Sequence, residues 1–201
     1  MKKILLVAVF LLTFFITGCD AFGNNNQDNQ ETEDNLELAL TKMNQLDSYQ
    51  LVLVMNDVPI FGTITLVQQF DGDLMSLDNQ IVDVQYSKII EGETYKYILE
   101  NEVYTLSETP MESSGLTDNA MLLNEINPSD FIETSTGYSL NIERVDLNDD
   151  GTEYITDIII TLTDDGYVEQ FTFQVHDGDL EVSASITFSE YNNVTITVPG
   201  V

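Results

Sequence analysis

From residue 49 onward, apolar and polar positions alternate with a period of two, the signature of strands with one buried face. "YQLVLVMN" (49–56), "FGTITLVQQF" (61–70), "VDVQYSKII" (82–90), "TYKYILE" (94–100) and "EVYTL" (102–106) form a first group. "YSLNIERV" (138–145), "EYITDIIITLT" (153–163), "YVEQFTFQV" (167–175), "LEVSASITF" (180–188) and "VTITV" (194–198) form a second. Turn chemistry separates them at "FDGDL", "EGE", "ENE", Asp164-Asp165-Gly166 and His176-Asp177-Gly178-Asp179. Residues 107–137 break the pattern. Ala120-Met121-Leu122-Leu123 and Pro128-Ser129-Asp130-Phe131 there suggest one or two short helices or a lid-like segment.

Ahead of the strands the period is different. Leu36, Ala39, Leu40, Met43 and Leu46 fall at i, i+3/i+4 spacing, which predicts a helix over about Asp34 to Leu46 with one buried stripe. Glu33 and Asp34 stand at its start, where the helix dipole favours acids. The pattern therefore predicts an α+β chain that is mostly β. It is a large curved antiparallel sheet of about 10–11 strands, a half-open barrel, with an N-terminal amphipathic helix and a short helical insertion on its concave side. So many strands in one open sheet tend to curl.

Two stretches depart from simple alternation. In "YQLVLVMN" both faces are apolar, Leu51 and Leu53 on one and Val52 and Val54 on the other. Ile158 to Ile160 with Leu162 read the same way. Such strands need cover on both sides. Either the helix and the 107–137 segment cover one face each, or a ligand cavity lies between sheet and helix. The candidate cavity lining is Leu40 and Met43 of the helix, Leu51, Leu53 and Met55 of the first strand, and Met121 and Leu122 of the interruption. Methionines repack easily and would suit an adaptable cavity.

The first residues follow yet another pattern. Lys2 and Lys3 precede 13 residues, Ile4 to Ile16, that are apolar except for Thr13. That run is too short to span a bilayer, which takes roughly 20 residues of helix. It fits a secretory h-region. "ITGC" then resembles the lipobox of bacterial lipoproteins. The resemblance implies cleavage after Gly18 and lipid attachment at Cys19, the single cysteine of the chain. The expected division is 1–18 signal peptide, 19–33 lipidated Cys and polar tether, and 34–201 one domain. The expected location is the cell membrane, lipid-anchored on its extracytoplasmic face.

Charge narrows the partners. Asp and Glu number 35 against 6 Lys and Arg, a formal net charge of −29. Loss of Lys2 and Lys3 with the signal takes −29 to −31. Nucleic acid is excluded as a partner, since phosphate binding needs cations. An anionic bilayer repels such a domain, so a lipid anchor would have to hold it there. The sequence names no protein partner.

The closing segment "ITFSEYNNVTITVPG" (186–200), a strand, an aromatic-Asn turn and a short alternating stretch ending in Pro, adds to the order of lipobox, tether, helix and meander. Together they resemble the LolA/LppX-like family of bacterial lipid carriers and lipoproteins, over roughly residues 34–201. The resemblance implies a half-open β-barrel with a helical lid over an apolar cavity that takes lipid acyl chains. It supplies no catalytic motif. The function expected is a membrane-anchored lipoprotein that binds a lipid or other apolar ligand. The alternative is a non-enzymatic surface module with a closed core.

Chemistry beyond that is sparse, and no enzyme is expected. His176 is the sole histidine and sits in a predicted turn. No G-x-S-x-G or H-E-x-x-H occurs. One acidic loop, "DLNDDGTEYITD" (146–157), places Asp146, Asn148, Asp150 and Asp157 like the ligands of a calcium loop. Strand-like flanks and Asp in place of a twelfth-position Glu favour an acidic hairpin turn instead. No other cofactor is expected.

Overall fold

The structure is a computed structural model and describes residues 35–79, 84–100, 102–110, 127–146 and 151–201. The signal and lipobox region, Cys19, the tether, and Met121 and Leu122 lie outside the described residues.

The predicted helix is α1 (Asn35–Met43). Leu36, Ala39, Leu40 and Met43 form its buried stripe. Its end is pinned: Lys42 Nζ donates to the Asp165 carbonyl at 2.7 Å and lies 5.4 Å over the Tyr167 ring. A basic residue in the last turn also suits the negative end of the helix dipole.

Twelve strands follow: β1 (Ser48–Val58), β2 (Gly62–Asp71), β3 (Leu74–Asn79), β4 (Gln85–Ile90), β5 (Glu93–Glu100), β6 (Val103–Leu106), β7 (Phe131–Thr134), β8 (Gly137–Leu140), β9 (Val145–Asp146), β10 (Glu153–Leu162), β11 (Val168–Asp177) and β12 (Leu180–Ser189). They form one open antiparallel sheet in the order β6-β5-β4-β3-β2-β1-β12-β11-β10-β8-β7, with β9 beside β10. Two meanders thus share a seam at β1–β12, and β6 and β7 are the edges. Among the described residues, a mostly-β architecture with one α-helix ahead of the strands matches the pattern of the sequence.

The count exceeds ten to eleven for identifiable reasons. "FDGDL" holds only a two-residue turn, Gly72-Asp73, so "LMSLDN" becomes β3. The 107–137 interruption ends in strand: a 3-10 turn at Pro128–Asp130 leads straight into β7. Asn127 starts that turn, its side chain accepting from Ser129 N at 3.2 Å. "YSLNIERV" splits into β8 and β9 around residues 141–144.

Register fixes which residues share a face, because paired residues point the same way. Leu51 pairs with Phe188, Leu53 with Ile186, and Met55 with Ala184. Across β11 and β10 the same face carries Phe171, Phe173 and Val175, then Ile155 and Ile160. These residues and α1 make one core cluster. The opposite face carries many amides and hydroxyls: Gln69 donates to Gln50 Oε1 at 3.1 Å, and Ser183 to Gln174 Oε1 at 3.1 Å.

Three expectations are corrected. Ile158 to Ile160 is not apolar on two covered faces. The β10–β11 register shifts between Thr156 and Ile159, and Asp157 takes φ 54°, a bulge geometry that Asp tolerates. The bulge puts both Ile158 and Ile160 in the core and leaves Ile159 40% exposed. His176 is not in a turn but near the end of β11.

"VTITV" is the third. It alternates in burial, with Val194, Ile196 and Val198 inside, but it joins no ladder. Its N–H groups go to side chains: Val194 N donates to Ser48 Oγ at 3.1 Å and Ile196 N to Asp71 Oδ2 at 2.9 Å. Ser48 and Asp71 are register partners on the face away from α1, so the tail is held on that side. Asp71→Ala would leave Ile196 N without its acceptor, at a cost of about 1–2 kcal/mol. Hydrogen exchange should show lost protection at Val194–Val198 before any change in the central strands.

Tyr191 closes the turn before this tail. Its single hydroxyl proton is shared between Val168 O at 2.8 Å and Phe188 O at 2.9 Å, and its ring stacks on Tyr167 at 4.7 Å. Burial first, then the Glu169 charge and Tyr167, push its pKa up to about 12. The unfolded chain releases this proton near pH 10, the folded one near 12. Between those values the unfolded state holds fewer protons, so the contribution of Tyr191 is unchanged below pH 10 and stability is lost as pH rises from 10 to 12. Denaturant midpoints from pH 8 to pH 11.5 should show that fall, with a smaller slope in Tyr191→Phe.

Candidate functional site

Five of the residues expected to line a cavity come together. Leu40, Met43, Leu51, Leu53 and Met55 belong to one cluster and are between 1% and 7% exposed. The strands place the last three by alternation on β1, and the helix places the first two three residues apart on its buried stripe. Val52 and Val54 lie on the other face, half-buried among cross-strand neighbours Thr187, Val67, Ser185 and Thr65. Neighbouring side chains on a pleated face supply part of that shelter.

The helix-side face does not stop where the helix-packed cluster does. That cluster reaches Leu77 on β3 at its margin. On the same face by register lie Met75 and Leu77 of β3, Gln85, Ser87 and Ile89 of β4, Thr94, Lys96 and Ile98 of β5, and Val103 and Thr105 of β6. Exposure rises across this wing, from 3% at Met75 to 46% at Ile98 and 49% at Val103. Sequence reasoning did not single out this wing. The signal was there in "QYSKII" and "TYKYIL", where alternation assigns each lysine a face.

Other titratable side chains among the described residues pack against their neighbours on the sheet. Tyr154 is sandwiched between the Arg144 guanidinium at 4.6 Å and the His176 ring at 4.6 Å. His176 Nε2 meets Thr156 Oγ1 at 3.0 Å, so its ring is oriented by neighbours on β10. Burial raises the Tyr49 pKa well above its usual value; this ring stacks on Phe70 at 4.5 Å.

The 146–157 loop is flanked by strands β9 and β10, as the hairpin reading requires, and not by helices. Asp146 pairs with Arg144 Nε at 2.9 Å. Asp157 occupies the β10 bulge and accepts from Thr156 Oγ1 at 3.2 Å. Asp146 pairs in register with Tyr154, three residues and about 10 Å of strand from Asp157. Asn148 and Asp150 lie outside the described residues. Among the described residues no group of three or more His, Cys, Asp or Glu side chains gathers.

The class defined so far is an open twelve-stranded antiparallel sheet with one helix packed on an apolar face. No family model matches the chain. No curated protein matches it. Solved structures do: LprF from Mycobacterium bovis is similar over 82% of this chain and 95% of its own, at 12% identity and a TM-score of 0.39. The Mycobacterium tuberculosis lipoprotein LppX is similar over 81% of this chain and 95% of its own, at 6% identity and a TM-score of 0.36. LppX is of the family that the sequence resembles; at these scores neither structure fixes a ligand or a role for this chain.

Proposed function

We propose that this protein is a membrane-anchored extracytoplasmic lipoprotein that binds a lipid or other apolar ligand on the helix side of its sheet, without catalysis. One observation carries the reading: the helix-side sheet face runs on beyond the helix packed on it, with Ile89, Ile98 and Val103 set among polar side chains. A nine-residue α1 shares a core with β1, β2 and β10–β12, while the same face continues across β4–β6 with Ile98 and Val103 exposed. An apolar face in water is unfavourable by about 25 cal/mol per Å², and an acyl chain laid along it would remove that exposure. Anchoring rests on the lipobox at Cys19. No helix among the described residues is long and apolar enough to cross a membrane.

The experiment is organic extraction and mass spectrometry of full-length protein purified from membranes. Acyl species should be extracted in near-stoichiometric amount, and the intact mass should show a chain beginning at a lipid-modified Cys19. Repeated extraction without lipid would favour the second reading, a surface module with a closed core. The observation behind that alternative is the tight burial of Leu40, Met43, Leu51, Leu53 and Met55 against one another.

A further inference from the structure

The helix-side face of β4–β6 carries one cation, and its position selects the ligand. The inference rests on the lipid-binding reading above. Four cationic residues remain after Cys19: Lys42, Lys88, Lys96 and Arg144. Lys42 is held by the Asp165 carbonyl and Tyr167, and Arg144 by Asp146 and Tyr154. Lys88 and Lys96 have no ion-pair or hydrogen-bond partner among the described residues. They lie on opposite faces. Lys88 pairs in register with Tyr95 on the side away from α1, and Lys96 with Ser87 on the side of α1.

Lys96 sits in the middle of the wing, half-buried. Across β4 its register partner is Ser87, and Ser87 in turn pairs with buried Met75. Across β6, Ser107 N donates to the Lys96 carbonyl at 2.9 Å, which places Ser107 opposite it. Directly paired residues carry Cβ atoms about 5 Å apart. An ammonium therefore lies in a row with a hydroxyl on each side. Ser107 Oγ already donates to Thr109 O at 2.8 Å, so Ser87 is the hydroxyl whose proton is open to a ligand. The rows on either side are apolar in part, Ile89 with Thr94 and Ile98 with Thr105. The nearest acid on this face of β5 is Glu100, four residues and about 13 Å along the strand.

A half-buried ammonium flanked by hydroxyls and by Ile89 and Ile98 gives up hydration that an anionic partner would replace. In a chain of net charge −29 a cation left without a partner is a position that attracts an anion, and on the helix side of β4–β6 that cation is Lys96. The geometry points to an anionic amphiphile as ligand: its carboxylate or phosphate binds Lys96 Nζ and the Ser87 hydroxyl, and its acyl chain runs over Leu77, Ile89 and Ile98. Charge complementarity decides the class, because a neutral lipid would leave the ammonium unmatched.

The test uses full-length protein in neutral detergent at pH 8, with two probes of one chain: cis-parinaric acid, anionic, and its methyl ester, neutral. Wild type should bind the acid about tenfold more tightly than the ester, an advantage that shrinks with added salt. Lys96→Met should bind both at the ester's affinity. Lys96→Arg should keep most of the preference, and Lys88→Met, on the other face, all of it. Equal binding of both probes by wild type would overturn the headgroup site while leaving lipid binding intact. So would a preference that survives in Lys96→Met or disappears in Lys88→Met. If Lys96→Met melts early, Lys96→Gln takes its place. If neither probe binds wild type at all, the lipid reading falls and the headgroup site with it.

Discussion

Phe171→Ala is expected to lower stability by about 3–5 kcal/mol, the range for deleting a buried aromatic ring. Phe171 is 1% exposed and stands at the centre of the sheet on β11. Ile186 of β12 and Ile160 of β10 flank it in register, and Phe173 meets it edge-on with ring centroids 5.6 Å apart. α1 packs on this strand, so the hole opens directly beneath the helix. Relaxation into it is limited because the strands on both sides are fixed by ladder hydrogen bonds. For a chain of this size the melting temperature should drop by about 10 °C. Urea unfolding should move to a lower midpoint with an unchanged slope. Thr172→Ala, one residue on and facing the other way, should stay within about 0.5 kcal/mol. Equal losses at the two positions would mean that the face assignment is wrong.

That contrast was readable in the sequence, because "YVEQFTFQV" and "LEVSASITF" alternate without interruption. A two-residue period needs only local chemistry to be seen. Less of the fold was legible where one residue upsets the period. Asp157 is an instance: nothing in "EYITDIIITL" announces a bulge, yet its φ of 54° turns an apparent two-sided apolar run into one buried face. The tail "VTITV" failed for the opposite reason. Its alternation is real and its burial follows it, but ladder membership depends on a partner strand, and here Ser48 and Asp71 side chains stand in for one.

The site was legible in part. Leu40, Met43, Leu51, Leu53 and Met55 do meet, since helical and strand periods each define a face and both faces must be buried somewhere. What they meet is the rest of the core cluster, Phe188, Ile186 and Ala184 of β12 among it. The open portion of the face lies on strands β4–β6, where "QYSKII", "TYKYILE" and "EVYTL" alternate with mixed polarity. Only register across three strands shows that Ser87, Lys96 and Ser107 form one row. Register is a long-range property, and no single segment contains it.

Gly137→Ala is expected to detach the β7–β8 edge. Gly137 opens β8 with φ 142°, a conformation that an L side chain rarely adopts. It also lies against β10 so closely that a Cβ would overlap the Ile160 carbonyl oxygen. Both obstacles are backbone: neither a rotamer change nor a shifted side chain relieves them. The strained torsion alone costs about 1–3 kcal/mol, and the overlap forces β8 away from β10. Tyr138, which pairs with Ile160 and is buried, would go with it. Because the hairpin is an edge, the expected response is local. Hydrogen exchange should accelerate over Phe131–Leu140 while β1, β11 and β12 remain protected. Gly72→Ala is the matched comparison. Gly72 also has positive φ, at 54°, but a Cβ there meets nothing within 4 Å, so its cost should stay near 1 kcal/mol. The two substitutions add the same methyl group. If both cost alike, close approach to Ile160 does not hold the edge in place, and the torsion accounts for the whole effect.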